Sequence, residues 1–87
     1  MIMVEYIVLC KSGCGYCEKA IALLEEKEKN FETANFDECL DALKTLQNSF
    51  SHFTVPLILK QTKQGDFTLV GGYDSLCDYL DIEHGES

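Results

Sequence analysis

The sequence predicts an α/β protein, a small four-stranded mixed sheet flanked by helices, in the order β-α-β-α-β-β-α. Three observations carry this. Apolar runs of strand length alternate with stretches of helical periodicity. The first run, Tyr6 to Cys10, is continuously apolar, as a strand covered on both faces requires. The last two short runs, Leu57 to Leu59 and Phe67 to Val70, are joined by a short polar segment, which implies antiparallel pairing.

In chain order, Met3 to Cys10 holds Val4, Tyr6, Ile7, Val8 and Leu9, with Glu5 as the one polar residue, and reads as a central strand. Lys11-Ser-Gly-Cys14-Gly-Tyr-Cys17 follows as a tight turn opening a helix, which continues through the amphipathic stretch Glu18 to Lys29 and ends near Asn30. Cys17, Ala20, Ile21 and Leu24 recur at helical spacing, while Glu18, Lys19, Glu25, Glu26 and Lys29 fall elsewhere. Phe31 to Phe36 reads as a short strand near a sheet edge. Asp37 is the expected N-cap of a second helix, with Leu40, Leu43 and Leu46 as its apolar stripe and Ala42 alongside. Elements of these lengths imply parallel pairing through a right-handed crossover.

Ser49 to Thr54 is expected as a loop. Pro56, the only proline, removes a ladder donor and so belongs at the mouth of the strand Leu57 to Leu59. Gln61 to Asp66 makes the hairpin turn around Gly65. Gly71-Gly72 breaks the strand Phe67 to Val70, and Asp74 or Ser75 is expected to cap a last helix holding Leu76, Tyr79 and Leu80. Glu83 to Ser87 is a polar tail expected to fray.

Residues 1–87 are read as a single domain with one modest core. The apolar fraction of 46% and charged fraction of 25% are those of an ordinary soluble protein. No apolar run approaches the roughly 20 residues of a membrane span. Met1 to Glu5 lacks the basic start and apolar core of a signal peptide, so a cytoplasmic location is expected. A net charge of −8 argues against nucleic acid and anionic membranes as partners. The five cysteines are an odd number, unlike a fully paired secreted framework, which points to free thiols with any C-x-x-C pair catalytic or metal-binding.

Cys14 and Cys17 carry the chemistry. Three residues apart at a helix start, they lie one turn from each other on one face, so their sulfurs can approach and bond. The helix N-terminus presents unpaired N–H groups and partial positive charge, which favours thiolate at Cys14. Cys14, nearer the helix start, is the expected nucleophile, and Cys17, one turn inside, the resolving thiol. A low-pKa thiol gains thiolate fraction but loses nucleophilicity, so the larger benefit is as a leaving group on the return step. That favours a reversible exchange catalyst over a structural disulfide. A C-x-x-C pair also fits half of a zinc site, so the setting and the downstream motifs decide.

Those motifs are Lys11 three residues before Cys14, Thr54-Val55-Pro56, and Gly71-Gly72-Tyr73-Asp74. With the dithiol Cys14-Gly-Tyr-Cys17, in this order and spacing, the chain resembles the glutaredoxins, compact members of the thioredoxin-fold superfamily, over nearly its whole length. The resemblance implies a thioredoxin-like fold and a glutathione-dependent thiol–disulfide oxidoreductase that reduces protein disulfides and glutathione mixed disulfides. It implies a cis peptide before Pro56, facing the dithiol, with Val55 offering its backbone to the cysteinyl part of glutathione. It further implies that Lys11 pairs with the glycine carboxylate and that Gly71 to Asp74 take the γ-glutamyl end, Asp74 binding its ammonium. Tyr16 is expected to wall the site with its ring. The implied partners are glutathione and disulfide-containing or glutathionylated proteins, ribonucleotide reductase among them, for a monomer with no metal.

Two positions depart from the family pattern. Gly15 stands where proline is usual, and Leu57 follows Pro56 where a polar residue is frequent. The thioredoxins proper are a poorer fit, because the chain has no tryptophan before its dithiol. Two alternatives stay open: a glutaredoxin-like electron donor to ribonucleotide reductase that takes its electrons from thioredoxin reductase, and a zinc or iron–sulfur protein. The latter draws ligands from Cys10, Cys14 and Cys17 with Cys39, Cys77 or His52, although the remaining cysteines lack a second close pair. Otherwise Cys10, Cys39 and Cys77 are read as small packing residues, His52 as a solvated loop residue, and His84 as part of the tail.

Overall fold

A computed structural model describes residues 4–83. The elements are β1 (Tyr6–Cys10), α1 (Gly15–Glu26), β2 (Phe31–Asn35), α2 (Leu40–Phe50), β3 (Leu57–Gln61), β4 (Phe67–Gly71) and α3 (Tyr73–Glu83). The sheet order is β2-β1-β3-β4: β1 runs parallel to its neighbour β2 and antiparallel to β3, and β4 returns antiparallel on β3. This is the predicted mixed α/β architecture of the thioredoxin fold.

The apolar run of β1 is explained by cover on both faces. Tyr6, Val8 and Cys10 point to one side, where Cys17, Ala20 and Leu24 of α1 and Leu76 and Leu80 of α3 meet them around Ile58. Leu9, with the half-buried Ile7, points to the other, where Leu57, Leu59 and Leu43 of α2 close a second cluster. A strand alternates its side chains between faces, so burial of both forces the near-continuous hydrophobic pattern. Because β1 runs antiparallel to its neighbour β3, its C-terminal end and the start of α1 emerge at the end of the sheet where the chain enters β3.

Several boundaries differ from expectation. Helix α1 stops at Glu26 rather than near Asn30. Lys27 caps it, Glu28 turns left-handed at φ 58°, and the Lys29 N–H returns to the Leu24 carbonyl at 3.0 Å. That reversal lets the Asn30 carbonyl accept from the Glu5 and Tyr6 N–H groups at 2.9 and 3.1 Å, which starts the Tyr6–Phe31 register. Cys39, not Asp37, is the N-cap of α2, because the Asp37 carboxylate is engaged by Ser12. Of the predicted stripe only Leu43 is buried; Leu46 is half-buried, and Leu40 and Ala42 are exposed. The expected loop from Ser49 begins later, since α2 runs to Phe50 and ends on a left-handed Ser51. Strand β4 includes Gly71, and α3 begins at Tyr73, so Asp74 and Ser75 lie inside its first turn instead of capping it. Of the expected tail, Glu83 closes α3, and 84–87, His84 included, lie outside the described residues. No helix among the described residues is long and apolar enough to cross a membrane.

Candidate active site

Gly13 makes the turn from β1 into α1, at φ +82°, a value that favours glycine. Cys14 follows in extended conformation as the N-cap of α1, and its Sγ accepts the Cys17 N–H at 3.1 Å. A sulfur in this position satisfies one of the helix's orphan donors and faces its positive end. Asp37 braces the turn from outside: its carboxylate accepts the Ser12 N–H at 2.8 Å and the Ser12 hydroxyl. Those two bonds hold the Asp37 carboxyl below its ordinary range.

The two thiols sit in different surroundings. Cys14 is half-buried, whereas Cys17 is 3% exposed within the core. Burial first, then hydrogen bonding with Cys14 and the proximity of Cys10, push the Cys17 thiol far above the ordinary thiol range. Cys17 therefore stays protonated while Cys14 is reduced. Cys10, at the end of β1, packs in the same cluster, and burial raises its thiol as well.

The Val55–Pro56 peptide is cis, as expected, and the Cys14 thiol donates to the Val55 carbonyl at 3.7 Å. Beside this contact opens a cavity of about 550 Å³. Three segments line it: Tyr16 of α1, Thr54 to Pro56 before β3, and Gly72 to Ser75 at the start of α3. Seven of the predicted binding residues thus share one cavity. Gly71 is buried behind it at φ +124°, and a Cβ there would meet the Ser75 side chain at 2.8 Å. Lys11 lines instead an adjoining hollow of about 170 Å³, with Leu40, Lys44 and Phe53, which shares Thr54 and Val55 with the first. The Tyr16 and Tyr73 rings, both in the cavity lining, stand 6.1 Å apart and join α1 to α3, and Lys19 Nζ lies 5.1 Å from the Tyr16 ring centre. A hydrogen bond with Cys77 raises the Tyr73 hydroxyl above its ordinary range.

The sequence favours a solvated loop position for His52, and the structure differs. Rather than solvated, its ring is half-buried, with Nε2 3.3 Å from both the Pro56 carbonyl and Thr54 Oγ1. A Cβ on Gly72 would come within 3.8 Å of the same ring. His52 therefore sits between Thr54, Pro56 and Gly72, three residues that line the cavity. Among the described residues no group of three or more His, Cys, Asp or Glu is placed to hold one metal ion.

A dithiol at the β1–α1 junction of a mixed four-stranded sheet, in contact with the proline loop that enters β3, defines a thioredoxin-fold thiol–disulfide oxidoreductase. The glutaredoxin family model matches residues 4–63, well over half of the chain, and the protein belongs to the glutaredoxin family. Solved structures share the fold. A buckwheat glutaredoxin in complex with glutathione is 24% identical with a TM-score of 0.72, covering 91% of this chain and 70% of its own. Glutaredoxin 1 from Francisella tularensis, complexed with cacodylate, is 21% identical at TM-score 0.67, over 93% and 96%. The solution structure of a Brucella melitensis glutaredoxin is 25% identical at TM-score 0.67, over 92% and 82%. No curated protein matches the sequence.

Proposed function

We propose that the protein is a glutathione-dependent oxidoreductase that reduces glutathione mixed disulfides and protein disulfides through Cys14 and Cys17. One observation carries this: the Cys14 sulfur contacts the Val55 carbonyl on the rim of the cavity formed by Thr54 to Pro56 and Gly72 to Ser75. An extended peptide thiol bound along Val55 in a strand-like pairing brings its sulfur to Cys14. The start of α3 offers N–H groups to a carboxylate, and Asp74 beside them offers an anion to an ammonium, which suits the γ-glutamyl end. Lys11 lines the adjoining hollow that shares Val55, which supports pairing of its ammonium with the glycine carboxylate.

In the reaction the Cys14 thiolate attacks a substrate sulfur, the substrate disulfide breaks, and one thiol leaves. With a protein substrate, Cys17 loses its proton and attacks the Cys14 sulfur, which releases the second thiol and leaves a Cys14–Cys17 disulfide. Capture of Cys14 in a mixed disulfide removes the negative charge that disfavours the Cys17 thiolate, so attack becomes easier at the point where it is needed. Two glutathiones then return the pair to the dithiol. The setting is a reducing cytoplasm, and ribonucleotide reductase is one protein disulfide suited to such a donor.

The test is turnover of a small glutathione mixed disulfide, with electrons from glutathione and its reductase or from thioredoxin reductase. Activity with glutathione is expected. Activity with thioredoxin reductase alone would reassign Gly72 to Asp74 as a plain turn and overturn the glutathione site. Cys17→Ser is expected to keep deglutathionylation and lose reduction of protein disulfides.

A further inference from the structure

His52 stands behind the cavity, bonded to two residues that line it and beside a third. Its own place is set by the end of α2. The helix closes on the left-handed Ser51, and that reversal lets the His52 N–H donate to the Gln47 carbonyl at 3.0 Å. The ring is thus carried on a helix terminus and not on a free loop. Its Nε2 lies 3.3 Å from both the Pro56 carbonyl and Thr54 Oγ1. A carbonyl oxygen can only accept, so Nε2 carries the hydrogen and donates, with Thr54 Oγ1 sharing it.

We propose that His52 is a positioning residue that holds the Thr54–Val55–Pro56 segment and the start of α3 at the separation glutathione spans, and so sets the preference for glutathionylated over other disulfides. The proposal rests on the glutathione site described above. The two contacts of Nε2 fall on either side of Val55 and use neither of its peptide groups. Val55, whose carbonyl meets the Cys14 thiol at 3.7 Å, is clamped from both ends while its backbone stays available to a substrate.

The second segment is fixed by contact with the same ring. The position of a Gly72 Cβ would be 3.8 Å from His52 Cε1, 3.9 Å from Nε2 and 3.9 Å from the Pro56 carbonyl oxygen, all ordinary contact distances. The imidazole therefore fills the gap between Pro56 and Gly72. A cysteinyl group paired along Val55 and a γ-glutamyl group at Gly72 to Asp74 meet two segments whose spacing one side chain sets. Fixing that spacing before the ligand arrives removes an ordering cost from binding. A disulfide that engages Cys14 alone gains nothing from it.

The experiment compares two mixed disulfides of one peptide, with glutathione and with cysteamine, by single-turnover release of the peptide thiol from the reduced full chain. Cysteamine presents a sulfur to Cys14 but has no peptide group for Val55 and no γ-glutamyl end. Wild type is expected to favour the glutathione adduct. His52→Ala and His52→Phe should lower that preference about 3- to 10-fold, the range of one hydrogen bond. His52→Gln, whose amide N–H can replace the ring N–H, should restore most of it. An unchanged preference in His52→Ala overturns the proposal, as does an equal fall on both adducts, which would mean general loosening around Cys14. A wild-type preference in His52→Phe would reduce the role to packing and also overturn it. A wild-type chain with no preference for glutathione overturns the glutathione site itself. Nitrogen NMR of the wild-type chain at mildly alkaline pH decides the geometry even if the variants do not fold, with His84→Gln assigning the signals of the two histidines. The Nε2–H tautomer is expected at His52, and the Nδ1–H tautomer would overturn the clamp.

Discussion

Two helices in this protein begin on a cysteine, and only one of those cysteines belongs to a site. Cys14 caps α1 with its sulfur on the Cys17 N–H, while Cys39 caps α2 at φ −140°, ψ 50° with no side-chain capping bond. One turn on from Cys14 is the buried Cys17; one turn on from Cys39 is the exposed Ala42. The Cys14 sulfur also reaches the Val55 carbonyl of the loop entering β3. A helix dipole is thus common to both positions and does not distinguish them. A second thiol on the buried face and a backbone rim for the substrate do.

The largest effects test that contrast directly. Cys14→Ser removes the attacking sulfur, and turnover should fall to the uncatalysed background. Cys39→Ser, at an exposed position away from the cavity, should stay within about twofold of wild type. Ala42→Cys in a Cys14→Ser background gives α2 a C-x-x-C pair of its own. No recovery of turnover is expected, and measurable recovery would show that spacing at a helix start suffices.

The turn before Cys14 comes next in size. Gly13 has φ +82° with nothing within 4 Å of an added Cβ, so Gly13→Ala meets backbone strain alone. The expected loss is about 1–2 kcal/mol, read as a lower midpoint in urea. Glu38, the residue before Cys39, is not among the positive-φ positions, and Glu38→Ala should leave the midpoint nearly unchanged. Equal losses at the two positions would mean that the α1 turn is not special.

The buried thiol predicts an alkaline limb. Folding raises the Cys17 pKa above its ordinary 9.0, so the folded chain keeps a proton that the unfolded chain gives up. The associated stability is complete below 9.0 and is lost as pH rises beyond it. The slope approaches about 1.4 kcal/mol per pH unit at most. Urea midpoints of the reduced chain should fall above this pH, with a flatter fall in Cys17→Ala. An identical fall in both would assign the alkaline loss to other groups.

The element order, the strand covers and the dithiol were legible because each rests on a local pattern: the periodicity of β1, the spacing of Cys14 and Cys17, the single proline. The cis Val55–Pro56 bond came from resemblance, not from any local preference. What escaped was set by contacts distant in sequence. Asp37 is a good N-cap by type, but Ser12 claims its carboxylate, and the cap passes to Cys39. Helix α1 has the composition to continue, yet it stops where Phe31 must align with Tyr6. His52 gains its place from Pro56 and Thr54 nearby and Gly72 far along the chain. Lys11 stands near Cys14 in sequence but lines the smaller hollow, across Val55 from the cavity of Tyr73 and Asp74.

Asp37 links the two helix starts, and its removal is the finest way to separate them. Its carboxylate holds Ser12 in the turn before Cys14, while its own N–H donates to the Asn35 side chain at 2.8 Å, just ahead of Cys39. The group is exposed, so the effect on stability is the smallest expected here. Its sign is still defined. The folded pKa is held below the ordinary 3.8, so the stabilisation is present above 3.8 and lost as pH falls through the depressed value. Asp37→Asn should therefore lower the Tm slightly at neutral pH and leave it unchanged once the carboxylate is protonated in both states. Turnover should fall with it, because the Cys14 turn is loosened. A Tm difference that persists in acid would assign the role to packing and not to the charged hydrogen bonds with Ser12.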